Sequence, residues 1–149
     1  MIVDSSASLV ITSTALTAEQ ITHRLSIEPA ASRNTGDPHG APRPDASGNV
    51  TQRTARETVW RLDSGAGHAS DSFSTLVALA ELLRDKRGKL VSLRPMCTTV
   101  IIWGGFSDSE QGGFVFPTPL LADLADLGAL GCDLHGTTHL SSDETLDGA

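Results

Sequence analysis

Six residues carry the side chains best suited to holding a ligand: Arg33, Asp37, Trp60, Arg61, Trp103 and Phe106. Arginine presents a planar fork of donors that matches a carboxylate or phosphate. Tryptophan adds a stacking face and an indole N–H. A pocket built from this set would take a small anion or an aromatic ligand. The plainer use of each tryptophan is as a plug between sheet and helix, and that use is the first expectation.

Other chemistries find less support. Cys132, His135 and His139 resemble a metal cluster, but the segment reads as a strand. At ~3.3 Å per residue, His135 and His139 would stand about 13 Å apart, too far to share one ion. No metal and no cofactor is expected. A nucleophile needs a positioned base, and the Gly-x-Ser-x-Gly elbow is missing. Cys97 and Cys132 read as core thiols. A catalytic set around His23, Asp37 and Ser64 would have to be assembled by the fold, so no catalytic residue is assigned. Gly104-Gly105-Phe106 and Gly112-Gly113 lack the Lys-Ser/Thr of a phosphate loop. Asp123 and Asp126 lie one helical turn apart on a polar face, as solvated residues do.

Composition sets the frame for these side chains. The chain has 149 residues, 39% of them hydrophobic, with four Phe, two Trp and no Tyr. That length suits one domain, residues 1–149, with a core of Leu, Val, Ile and Ala around 8–136. Two cysteines are too few for a disulfide framework and suit a reducing compartment, so a bacterial cytoplasmic setting is expected. Met1–Ala7 holds Asp4 and two serines, unlike a signal peptide. No run reaches the ~18 apolar residues of a membrane span. The net charge of −7 argues against duplex nucleic acid. Charge is uneven, however. Arg33, Arg43, Arg53, Arg56 and Arg61 make 33–61 locally basic, while 104–149 has no Lys or Arg and eight acidic residues. The first segment suits an anion and the second a basic protein partner.

Local patterns then predict the elements. Ser8–Ser13 reads as a buried strand. Thr17 and Gln20 have capping-box spacing, opening a helix through Ile21 to about Leu25. Residues 30–56 form a long Pro- and Arg-rich loop, with Pro38–Asn49 expected to be disordered. Thr58–Asp63 alternates as a half-buried strand, with Val59 and Arg61 on one face and Trp60 and Leu62 on the other. Ser70 or Asp71 caps a helix striped by Phe73, Leu76, Val77, Ala80 and Leu83 and widened by Leu79 and Leu82. Gly88 either ends that helix or interrupts it. Thr98–Trp103 is the strongest strand, and Phe114–Phe116 returns antiparallel. Thr118-Pro119 opens a helix with Leu120, Leu121, Leu124 and Leu127 inside and Gly128 as its stop. Leu130–Leu134 closes the sheet, and the acidic tail from Ser141 frays. The order β-α-β-α-β-β-α-β implies an α+β fold. Its mixed or antiparallel sheet of about five strands packs in two layers against helices, as in a variant of the ferredoxin-like theme.

In order and spacing, these pieces resemble a bacterial family catalogued as domain of unknown function 4279. The matching features are SLVITS, LSIEPA, Gly36-Asp37-Pro38, Val59–Leu62 leading to Ser64, and the helix from Phe73. Ile101–Trp103, Gly112-Gly113-Phe114, the helix Pro119–Leu127 and CDLHG complete them. The insert Pro42–Arg56 departs from the family pattern. The resemblance implies a fold and no activity. From the residues themselves, the first expectation is a non-enzymatic protein-binding module, in the manner of a toxin antidote or small inhibitor. The alternative is a binder or sensor of a small anionic ligand through an Arg/Trp pocket, and the third is an enzyme whose site only the fold reveals. Oligomeric state stays open.

Overall fold

In the computed structural model, the described residues are 2–64, 73–108, 115–129 and 131–140. The chain opens with β1 (Ile2–Ser13), which lies mid-sheet and pairs antiparallel on both sides. Along it, Ser5, Ala7, Leu9, Ile11 and Ser13 are buried, while Asp4, Ser6, Ser8, Val10 and Thr12 are only partly covered. That period of two defines a core face and an open face. The strand begins well before Ser8, because Ser5 and Ala7 keep the alternation with small side chains.

The chain continues through α1 (Ala18–Leu25), β2 (Ala31–Arg33), β3 (Arg43–Pro44), β4 (Val50–Thr51) and β5 (Thr58–Asp63). It then forms α2 (Ser74–Arg84), α3 (Arg87–Leu93), β6 (Thr98–Ser107), α4 (Thr118–Ala129) and β7 (Cys132–Leu140). The main sheet has the order β2-β5-β1-β6-β7. It is mixed, since β6 and β7 run parallel across α4 and the other pairs are antiparallel. The fold is therefore α+β in two layers, as expected. The fifth strand is not a return at Phe114–Phe116, however. Val115 and Phe116 lie outside any strand, and Phe114 is outside the described residues. β2, from the supposed loop, takes that place.

All four helices contribute to a single core on one side of the sheet. Leu9, Ile11, Trp60, Ile101 and Trp103 meet Ile21, Leu25, Leu76, Leu79, Leu83, Leu90, Leu93, Leu120 and Leu127 there. Thr17 and Gln20 form the expected capping box on α1. Ser13 Oγ donates to the Met96 carbonyl at 2.7 Å and accepts from the N–H groups of Ala15 and Leu16. It ties the β1–α1 turn to the approach to β6. Gly88 falls inside α3, after α2 has ended at Arg84. Ser70 and Asp71 are outside the described residues. Leu82 and Leu121, expected inside, are exposed, and Leu124 is half-buried. α4 runs past Gly128 to Ala129, and the left-handed residue is Gly131, at φ 86°. That backbone angle is what favours glycine there, since a Cβ would meet only the flexible end of the Arg94 side chain. Leu130 and the tail from Ser141 are outside the described residues. Among the described residues, no helix is long and apolar enough to cross a membrane.

Adjacent residues of β5 report the two faces. Trp60→Ala should cost about 3–5 kcal/mol, since it empties a buried site and removes the indole N–H that donates to Thr22 Oγ1. Arg61→Ala, pointing the other way, should cost less than about 1 kcal/mol. Urea unfolding of both variants checks this, and comparable losses would contradict the face assignment.

Candidate functional site

Both tryptophans sit on the helix-covered face. Trp60 is 0% exposed and Trp103 2%. Trp60 Nε1 donates to Thr22 Oγ1 at 3.0 Å. Trp103 stacks on Phe73 with centroids 5.4 Å apart, and Phe116 meets its edge. Arg33, Arg61 and Phe106 alternate out of phase with them and occupy the opposite face. Asp37 lies beyond β2, where its Oδ2 accepts from the Asn34 N–H at 2.8 Å. The six residues thus do not share one cavity. The tryptophans plug the core, as the plainer of their two uses had it.

The arginine side of the set does find company. The insert after β2 is not a disordered loop but a folded ladder. Gly36 N–H reaches Ala55 O, Ala55 N–H reaches Asp37 O, and His39 N–H reaches Arg53 O, each at 2.8 Å. At its tip β3 pairs with β4, and Asp45 Oδ1 accepts from the Ser47 and Asn49 N–H groups. Asn34 anchors the base: its Oδ1 accepts from Ala18 N–H, and its Nδ2 donates to Glu19. These local side-chain bonds order a segment with almost no apolar residues.

Folding of the insert creates a cleft of ≈ 650 Å³ lined by Arg33, His39, Gln52, Arg53, Arg56 and Glu57, among others. Arg33 Nη1 donates to His39 Nδ1 at 2.8 Å, which assigns the ring's own proton to Nε2. Arg33 Nε is shut off from solvent and has no hydrogen-bond partner among the described residues. No ion pair between described residues engages Arg33, Arg53 or Arg56. Among the described residues that line the cleft, Glu57 is the one carboxylate. Arg61 is turned away from it, bridged to Asp63 at 3.2 Å. Arg53, Arg56 and His39 were not singled out in sequence. The local excess of arginine was their only signal, and their pairing across the ladder is a matter of register.

A second hollow, of ≈ 580 Å³, runs beside α1 and holds His23 with Glu19 and Glu28. It has two carboxylates and no arginine. Ser64 follows β5 at the end away from Asp37, whose turn lies beside Thr58. Six strand residues, about 20 Å, separate them, so His23, Asp37 and Ser64 form no triad. Cys132 faces the core and His135 the open side of β7, so they diverge; the side chain of His139 is outside the described residues. Asp123 and Asp126 are not simply solvated. They bridge α4 to Arg84 at 3.2 Å and Arg87 at 2.6 Å, exposed pairs worth at most about 1 kcal/mol each.

Burial pushes both thiols above the ordinary cysteine range, Ser13 opposing the shift at Cys97 and Thr99 at Cys132. A raised pKa leaves less thiolate at neutral pH than a free cysteine has. Both should label slowly with a disulfide reagent in the native state and at once after unfolding. Fast native labelling of either thiol would contradict this placement.

A family model described as a domain of unknown function, DUF4279, matches residues 4–135. No curated protein and no solved structure matches the chain.

Proposed function

Since this chain belongs to the DUF4279 family, whose description assigns no activity, we propose a function from its own geometry: a non-enzymatic binding protein that holds a small, multiply charged anion in the arginine cleft. One observation carries the reading. Three arginines line a single cleft without ion-pair partners among the described residues. Like charges gathered in one cleft repel one another, and a bound anion would relieve that cost. The guanidinium fork suits phosphate and carboxylate alike. The cleft's lining holds no Trp, Phe or Tyr, and the His39 ring is engaged by Arg33, so charge more than aromaticity selects the ligand.

A protein-binding role in the manner of an antidote or inhibitor is the second reading, favoured by the uncovered face of the sheet. Its partner would meet the apolar strip of Val10, Val100 and Ile102. The acidic surface offered by sequence is reduced, because Arg84 and Arg87 already engage Asp123 and Asp126.

Calorimetric titration with inorganic pyrophosphate, citrate and ATP separates these readings. Binding of at least one anion is expected, weakened about 10–100-fold by Arg33→Ala at unchanged stability and reduced by added salt. Athermal titrations with all three, supported by unchanged melting curves, would refute the anion reading.

A further inference from the structure

We propose that the uncovered face of the sheet is the contact surface of a symmetric dimer, its occupant a second copy of this chain. The four helices cover one face only, and among the described residues no helix packs on the other. Reading across the strands on that open face, one row runs Arg61, Val10, Val100, Asp133. The next runs Asp63, Ser8, Ile102, His135. Ile102 is 43% exposed although it sits on the most apolar strand of the chain.

Each row ends in groups of opposite character, and the two rows run in opposite senses. A two-fold axis parallel to the strands, between β1 and β6, turns β5 over the partner's β7 and β1 over the partner's β6. Arg61 then faces the partner's Asp133, and Val10 faces the partner's Val100. Asp63 faces the partner's His135, whose ring N–H can donate to it. Such self-complementarity is what an isologous interface requires. Within one chain Arg61 and Asp133 are three strands apart, about 14 Å, and cannot pair. Asp133 and His135 have no ion-pair or hydrogen-bond partner among the described residues. Packed sheets usually cross at about 30°, an offset the long Arg61 side chain can span.

Four overlapping strands about 4.8 Å apart and about nine residues long give roughly 600 Å² per copy. The total of about 1,200 Å² reaches the lower bound of stable interfaces, so the dimer should exchange with monomer on dilution. In this arrangement β2 and the arginine cleft stay at the rim, uncovered. The dimer therefore stands or falls apart from the anion reading.

Light scattering on a sizing column, run with the full chain over a range of concentrations, tests it. The expected mass approaches twice 15.6 kDa. Ile102→Asp should give monomer with an unchanged circular dichroism spectrum. Arg61→Glu and Asp133→Arg should each weaken association about tenfold or more, and the double variant should recover most of it. Arg33→Ala should leave the mass unchanged. Monomer at every concentration, a dimer indifferent to Ile102→Asp, or a double variant no better than the singles would overturn the proposal.

Discussion

The alternation of β1 between two faces is the constraint on which the rest of the molecule depends. This strand is hydrogen-bonded on both sides, to β5 and to β6, so its parity fixes theirs. Leu9 and Ile11 point toward the helices, which forces Trp60, Leu62, Ile101 and Trp103 to the same side. A slip of one residue would carry all of them into water and Arg61 into the core. The helices follow from that choice, each burying a leucine stripe against side chains the strands have already placed. Two polar side chains on the core face are met within the chain: Ser5 pairs with Thr75 at 3.2 Å, and Ser13 gathers three bonds.

Much of this frame was legible because the signals are local. The α1 capping box needs only Thr17 and Gln20, and β5 announces its faces through Trp60 and Arg61. Other features depend on partners distant in sequence. The first half of β1 is rich in serine and alanine, and only its pairing with β6 makes it a strand. β2 and the ladder after it lack apolar residues, so composition suggested disorder. What orders them is Asn34 and Asp37 bonding backbone groups, a geometry that residue counts do not contain. Gly128 and Gly131 are equally good stops by type, and the left-handed backbone at the second is what favours glycine there.

The candidate site shows the same division. Arginine and tryptophan were rightly marked as unusual, but proximity in sequence does not determine the face of a sheet. Trp60 and Arg61 are adjacent and point apart. Register places the tryptophans in the core and both strand arginines on the open face, where Arg33 and Arg61 line one hollow with Val10 and Val59; Arg33, at the edge, also joins Arg53 and Arg56 through the folded insert. Two surfaces result, one cationic at the sheet edge and one apolar with charged ends across its middle.

Because the protein has two tryptophans and no tyrosine, its fluorescence reports the face assignment directly. The measurement is the emission spectrum with acrylamide quenching, taken on the native chain and after unfolding. Both indoles on the covered face predict blue-shifted native emission with little quenching, unchanged when anions are added, and a red shift on unfolding. Native emission at the position of a hydrated indole, readily quenched, would contradict the account, because at least one tryptophan would then lie outside the core.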